Sequence, residues 1–266
     1  MIEEKVKKVL KKIRVNKKEK ILIALSGGKD SAVVAQIMKK LGYNIQGIHI
    51  SLGLGKYSEK CLEVVEKLCG NLEIKCYIYD LKKETGNSMI NYFRKNACKN
   101  ISTCTICGIF KKWILNKKAR ELKANKIATG HHRDDELQTF LMNIFKGSPQ
   151  LNSNFGPILE NKDKKLIVKI KPLFFISEKE IENYVKKNKI PFVKEICPYR
   201  QETYRVEIRK IFEKFSDKEK ENMMKNFLEL FKKIKKDIQK INYCEICGEP
   251  SRNRICKKCS LISSKK

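Results

Sequence analysis

The stretch ILIALSGGKDS, residues 21–31, decides the fold. Five apolar residues read as a short buried strand, two glycines follow, and Lys29-Asp30-Ser31 open a segment of helical period. Gly27 and Gly28 let the backbone turn tightly and approach an anion closely, and the unpaired N–H groups at the start of the next helix point at its oxygens. Ser26 and Ser31 add hydroxyl donors, Lys29 adds charge, and Asp30 suits a metal or the nucleotide itself. A strand, glycine loop and helix start of this kind reads as a pyrophosphate cradle. No G-x-x-x-x-G-K-(S/T) occurs in the chain, which excludes the loop of NTPases that cleave between the β and γ phosphates.

Outward from this loop, strand patterns at 21–26, 45–51, 73–79 and 126–130 alternate with helical stretches at 29–41, 58–69, 82–96 and 107–122. Short β-branched strands joined by crossover helices predict an α/β fold with a parallel sheet covered on both faces, and ligands then sit beyond the strand C-termini. The SGGKDS loop, Ile48-His49-Ile50 and Thr129-Gly130-His131 all fall at such ends and are expected to converge on one crevice. Residues 147–165 read as a loop, followed by a strand at 166–173 and a helix at 178–188. A helical stretch at 202–215 and a basic helix at 217–240 lead to a final module. The expected organisation is a basic N-terminal helix (1–20), an α/β nucleotide-binding domain (21–200), a helical extension (201–240) and a small C-terminal module (241–266).

At 266 residues and 41% apolar composition, the chain has ample material for one large core. Lys+Arg number 59 against 30 Asp+Glu, a formal charge of +29, far beyond what solubility needs, so a polyanionic partner is expected. Residues 1–20 carry nine Lys/Arg against three acids and residues 231–266 carry eleven against three, which makes the two ends the candidate basic surfaces. The charged N-terminus excludes a secretory signal, and no apolar run approaches the ~20 residues of a membrane span. A cytoplasmic protein without membrane contact is expected, and in that reducing compartment eleven cysteines read as metal ligands or reactive thiols before disulfides.

Cys244-x2-Cys247 and Cys256-x2-Cys259, eight residues apart with Gly248 after the first pair, have the spacing of a zinc ribbon. Each pair hooks two thiolates toward one point, and four close a tetrahedral site, so this Zn2+ is structural. Cys104-x2-Cys107, in STCTICGIF just before a helical stretch, leaves three readings open: small core residues, a redox dithiol, or a zinc knuckle completed by a histidine. Cys197, in a Pro-rimmed loop, is the natural third thiol, and three thiolates can hold an iron–sulfur cluster with one iron free of protein ligands. Cys61, Cys69, Cys76 and Cys98 fall within helix or strand patterns and read as buried small residues.

SGGKDS resembles the PP-loop of the ATP pyrophosphatases, which cleave ATP between the α and β phosphates. Together, SGGKDS, CTIC, TGHHRDDELQT, CPYRQETYRVEIR and CEIC…CKKC resemble the TtcA/TtuA superfamily of PP-loop tRNA 2-thiolation enzymes across nearly the whole chain. TGHHRDDELQTFLMN is similar to the cytidine-32 branch, whereas CPYR-x-E-T-x-R and the terminal ribbon are similar to the uridine-thiolating TtuA branch, which is preferred on the ribbon. Those uridine enzymes usually begin with a further Cys/His finger, and residues 1–20 contain neither residue.

The resemblance implies ATP contacts at Ala24, Ser26, Gly27, Gly28, Lys29, Asp30, Ser31, Ile50, Lys111, Gly130 and Asp135, and a [4Fe-4S] cluster on Cys104, Cys107 and Cys197. Asp30, Lys111, Asp135 and the three cysteines are the implied catalytic set. Elementary chemistry agrees: Ile50 at a strand end can present backbone to adenine, and Lys111, four residues after Cys107, shares its helix face. Asp134 and Asp135 at a helix start can hold Mg2+ between phosphates or merely cap the helix, and His49, His131 and His132 read as shuttles, ligands or hydrogen-bonded crevice residues. The implied reaction adenylates the C2 oxygen of a tRNA pyrimidine, expected to be uridine 54 or 34, and replaces it with sulfur. The expected partners are tRNA, a sulfur donor (sulfide, a persulfide or a thiocarboxylated ubiquitin-like carrier) and a second copy of the chain in a homodimer. Two rivals are weighed beside thiolation: a tRNA lysidine synthetase, which needs no thiols, and a non-catalytic RNA-binding zinc-ribbon protein.

Overall fold

Ile21, Ile23 and Leu25 of β1 (Ile21–Leu25) face one side of a sheet and Leu22 the other, and all four are buried, as a central strand of a doubly covered sheet demands. The computed structural model describes residues 1–99, 101–160, 163–200, 204–233 and 241–263. Ahead of β1 lies α1 (Ile2–Lys12), and after it α2 (Lys29–Lys40), β2 (Ile45–Ser51), α3 (Lys56–Leu72) and β3 (Cys76–Asp80). Then come α4 (Leu81–Thr85), α5 (Met89–Lys95), α6 (Thr103–Glu121), β4 (Lys126–Ala128), α7 (Arg133–Phe145), β5 (Ile158–Leu159) and β6 (Val168–Ile170). The chain continues through α8 (Glu178–Asn188), α9 (Tyr204–Glu213) and α10 (Asp217–Lys233) to β7 (Asn242–Tyr243), β8 (Pro250–Ser251) and α11 (Lys257–Ser263).

The sheet runs β3-β2-β1-β4-β6-β5, parallel throughout except for β5, which pairs antiparallel to β6 at the edge. Helices α1, α2, α3 and α8 pack their apolar stripes on one face, and α6 covers the other through Ala119 and Leu115. A second apolar cluster joins α5, α6 and Leu261 of α11, so the C-terminal module is seated on α6. A third joins Leu137 of α7 to Ile208 and Phe212 of α9 and Met224 of α10. No helix among the described residues is long and apolar enough to cross a membrane.

Several element boundaries differ from the sequence expectation. The stretch 82–96 is two helices, because Gly86 caps α4 in the left-handed region (φ 82°) and the Ser88 hydroxyl accepts the Asn91 N–H to start α5. The helix expected from 107 begins at Thr103, since Ser102 Oγ accepts from Thr105 N at 3.2 Å, so the CTIC segment is the first turns of α6 rather than its approach. The strand expected at 73–79 starts at Cys76, because Glu73 ends α3 in a left-handed conformation (φ 50°). The loop 147–165 contains a short 3-10 turn and β5, and the strand expected at 166–173 shortens to Val168–Ile170. Residues 201–203 and 234–240 of the two expected C-terminal helices lie outside the described residues.

Candidate active site

After β1 the chain fills one side of the sheet with β2 and β3, then crosses to the other side for β4, so β1 and β4 form the switch point at which α/β sheets bind ligands. The loops leaving β1 and β4 lie against one another there. Gly27 is left-handed (φ 85°), and a Cβ on it would stand 3.0 Å from Cys61 Cβ. A Cβ on Gly130 would stand 2.7 Å from the Ser31 nitrogen and 2.9 Å from the Asp30 carbonyl carbon. Gly28, by contrast, has an ordinary φ of -86° and is the N-cap of α2. No side chain caps α2, so its first N–H groups remain available to an anion. The loop is braced from within by Ser31 Oγ, which accepts from Ser26 N at 3.2 Å and donates to Gly28 O at 3.0 Å, and from outside by Val193 N, which donates to Gly27 O at 2.9 Å.

Charges gather around this loop. Lys29 Nζ lies 3.0 Å from Glu178 Oε1 and 3.3 Å from Asp30 Oδ1, and Arg209 pairs with the other Glu178 oxygen. Burial pushes the Glu178 carboxyl up, but hydrogen bonds from Arg209 and Lys29 outweigh it and hold the group down at about 2. Asp30 moves the other way: burial raises it, Lys29 and His132 pull it down, and Asp135 pushes it up again. Asp30 Oδ1 is buried with no hydrogen-bond partner, as expected of an oxygen that awaits a cation. Asp135 faces Arg205 Nη1 at 3.3 Å and His132 Nε2 at 3.4 Å, half-buried in the crevice.

The neighbouring Asp134 serves the fold instead, since its Oδ2 accepts from Glu178 N at 2.7 Å and so caps the N-terminus of α8. Arg133 is buried beside it and reaches Asp217 on α10. His49 Nδ1 donates to Leu25 O at 2.9 Å, and burial lowers its pKa, leaving Nε2 buried and unpaired. His131 is exposed and bonds Thr129 Oγ1 at 2.9 Å.

A cavity of about 80 Å³ opens beyond the ends of β1 and β2, lined by Ala24, Ser26, Ile48, Ile50 and, from α6, Lys111 and Leu115. Lys111 also hydrogen-bonds the Cys107 thiol. Burial raises the Cys107 pKa, Lys111 lowers it, and Cys197 and Cys104 push it up, which identifies the three thiols as neighbours. Their backbones are tied together where Thr103 Oγ1 donates to Tyr199 O at 2.7 Å and Arg200 N to Cys197 O at 2.9 Å. Three thiols on a helix turn and an adjoining loop, half-buried or exposed, form the donor set of an iron–sulfur centre.

At the other end of α6, the Sγ atoms of Cys244, Cys247, Cys256 and Cys259 lie within 4.8 Å of one another. Burial pushes the Cys244 thiol up, but N–H groups of Cys256, Cys247 and Ile246 aimed at its sulfur draw it down to about 6. A closed set of four sulfurs, one already favoured as thiolate by backbone donors, fits a tetrahedral zinc ion with no open position.

Residues 1–214 match the family model of the PP-loop domain. The chain is 34% identical to the tRNA-5-methyluridine(54) 2-sulfurtransferase of Pyrococcus horikoshii over 99% of its own length and 85% of that protein. It belongs to the PP-loop family of tRNA 2-thiolation enzymes, in the TtuA/NcsA branch. A second relative, the tRNA 2-thiolation protein NcsA of Haloferax volcanii, is 30% identical over 91% of this chain and 81% of its own. Among solved structures, the U34-tRNA thiolase NcsA from Methanococcus maripaludis, described with its [4Fe-4S] cluster, superposes with a TM-score of 0.82. That match has 27% identity and covers 98% of this chain and 85% of that one.

In this PP-loop protein the SGGKDS loop, Ile50, Lys111, Gly130 and Asp135 all border one crevice. Of the cysteines expected to be buried small residues, Cys69 is buried, Cys76 is half-buried, and Cys98 is exposed in a short turn, where the 3-10 backbone turns it out of the core. Cys61 is buried but sits against Gly27, with Tyr57, Cys197 and Lys111 as neighbours, a position that its helical spacing alone did not reveal. Glu178, Arg205 and Arg209 were missed altogether. Arg205 and Arg209, four residues apart and hence on one face of α9, carried the only signal for them.

Proposed function

We propose that the protein 2-thiolates a uridine of tRNA, at position 54 or 34, with cleavage of ATP to AMP and pyrophosphate. The observation that carries this reading is Lys111, which lines the cavity beside the PP-loop and hydrogen-bonds Cys107 of the thiol group, so one side chain joins the nucleotide crevice to the sulfur chemistry. Both the relatives and the neighbouring structure are named for uridines, which favours uridine over cytidine 32. The thiols and the ribbon argue against a lysidine synthetase.

In this reading the open N–H groups of residues 28–31 and Lys29 hold the phosphates, with Ser26 and Ser31 bracing the loop. Ala24 and Ile50 border the adenine, and Gly130 lets the β4 loop close on the cradle. Asp30 and Asp135 supply oxygen ligands for Mg2+, as suits a hard cation. The C2 oxygen of the uridine attacks the α phosphorus, pyrophosphate departs, and Lys111 and the loop amides stabilise the charge that develops. Attack of sulfide at C2 then expels AMP and leaves the 2-thio base. A [4Fe-4S] cluster on Cys104, Cys107 and Cys197 supplies, when bound, an iron with an open position for sulfur. Cys244, Cys247, Cys256 and Cys259 hold a structural zinc. We further propose a cytoplasmic setting, a homodimer, and a donor of the sulfide, persulfide or thiocarboxylated-carrier class, with the unit 21–200 carrying catalysis and 241–266 serving tRNA.

The test is release of labelled AMP from α-labelled ATP with and without unmodified tRNA. AMP formation that needs tRNA and is lost in Lys111→Ala supports the reading; AMP formation indifferent to tRNA contradicts it.

A further inference from the structure

Helix α6 has two working faces. Lys111 points into the crevice, whereas Ile109, Lys112 and Trp113 face an open cleft of about 420 Å³ between α6, β6 and the four-cysteine module. Its floor is apolar, formed by Ile109, Trp113, Leu166 and Pro250. Its rim is cationic. Lys112 and Lys169 stand on the core side, and Arg252 and Lys257 on the module side.

None of these four cations has a carboxylate partner among the described residues, although this chain pairs many of its surface lysines elsewhere. Lys169 is held in that state at a cost, because burial and the nearby Lys112 both push its pKa down. The single carboxylate in the lining, Glu249, is bound through both oxygens by Arg120 and offers the cleft no compensation. Lys258 is buried over the Trp113 ring at 4.1 Å, which fixes the indole in the wall. Unpaired cations brought together from two parts of the fold repel one another, so an anion that bridges them is the arrangement that relieves the cost.

We infer that this cleft is an RNA-binding subsite that takes one unpaired nucleotide of the tRNA, its phosphate between Lys112, Lys169, Arg252 and Lys257 and its base or ribose against the apolar floor. Apolar floor and cationic rim together match a nucleotide unit better than a bare phosphate, and unpaired nucleotides are what proteins grip by stacking and charge. The inference rests on tRNA being the substrate, and it adds where the tRNA is held. Crevice and cleft lie on opposite faces of one helix, about 10 Å across, so the subsite grips the strand close to the base undergoing chemistry. The four-cysteine module thereby gains a direct part in RNA binding, since it supplies half of the cationic rim.

Trp113 is the only tryptophan of the chain and reports on the cleft without labelling. The full-length, zinc-loaded protein is titrated with tRNA and with a short single-stranded oligoribonucleotide, following tryptophan emission, with tRNA affinity measured separately by filter binding. Saturable change of emission by both RNAs is expected. Lys112→Glu, Arg252→Glu and Lys257→Glu, all exposed, should together weaken tRNA binding at least tenfold and lower the salt slope by roughly 2, at about 0.7 per phosphate contact. ATP binding and zinc content should be unchanged in that variant. tRNA binding that saturates with emission unchanged and is unaffected in the triple variant overturns the subsite. So does AMP matching the oligonucleotide in its effect on emission at equal concentration, since the cleft would then be a free-nucleotide site. Loss of tRNA-dependent AMP formation with the emission change intact would instead count against the catalytic reading and leave the subsite supported.

Discussion

Gly130 and Ser31 are packed so closely that a Cβ on the glycine would stand 2.7 Å from the serine nitrogen. The atoms that it would meet are backbone of α2, which cannot rotate aside. Gly130→Ala must therefore push the β4 loop and the start of α2 apart, displacing the N–H groups proposed to hold the phosphates. Since a misplacement of ~1 Å can cost about a hundredfold in rate, we expect tRNA-dependent AMP formation to fall by that order while tRNA affinity is retained. Parallel measurements of AMP release and tRNA binding check it.

Two adjacent aspartates should behave differently. Asp134 Oδ2 caps α8 through the Glu178 N–H, so Asp134→Ala should lower stability by roughly 1–2 kcal/mol, the usual value of a lost N-cap. Asp135 faces Arg205 and His132 in the crevice, so Asp135→Ala should leave the unfolding midpoint nearly unchanged and abolish AMP formation. Denaturant unfolding and the AMP assay on both variants separate the two roles.

Glu178 carries a pH dependence. Its carboxyl is held at about 2 in the fold against 4.5 in its absence, so its ion pairs with Arg209 and Lys29 stabilise the protein fully above pH 4.5 and lose effect as pH falls toward 2. The stability gap between wild type and Glu178→Gln should be constant from pH 5 to 7 and shrink below pH 4.5. Thermal unfolding of both proteins across that range measures it. A gap that widened toward acid would show that the pairing is not a stabilising one.

Much of this site was legible because its parts are local. The SGGKDS loop, the C-x2-C pairs and the strand ends are short segments whose chemistry follows from neighbours in sequence. What escaped depends on long-range contacts: Lys29 meets Glu178 across 149 residues, and Arg120 meets Glu249 across 129. The start of α6 escaped for a different reason, since the Ser102 hydroxyl caps a helix whose first residues, Thr103-Cys104-Thr105, have little helical preference. Capping overrode propensity, and in doing so placed Cys104 and Cys107 one turn apart on one helix.

The two cysteine groups should be separable. Cys104→Ser, Cys107→Ser or Cys197→Ser should remove broad absorbance near about 400 nm, as thiolate-bound iron–sulfur clusters show, from anaerobically prepared protein without releasing zinc. Cys244→Ser should lower zinc content and the unfolding temperature, because that sulfur belongs to the closed four-thiol set. Iron and zinc analysis of each variant checks the assignment; zinc in both groups with no iron would contradict it.

In the proposed mechanism, ATP activation at the PP-loop and sulfur insertion into a tRNA uridine are one reaction. The most direct measurement of that coupling uses tRNA from a strain lacking the protein, incubated with anaerobically prepared enzyme, ATP and sulfide, with nucleosides mapped by mass spectrometry and AMP counted in the same tube. The expected result is one 2-thiouridine derivative, at position 54 or 34, formed with one AMP each and absent in Lys111→Ala. Thiolation without ATP, or sulfur at cytidine 32, would contradict it.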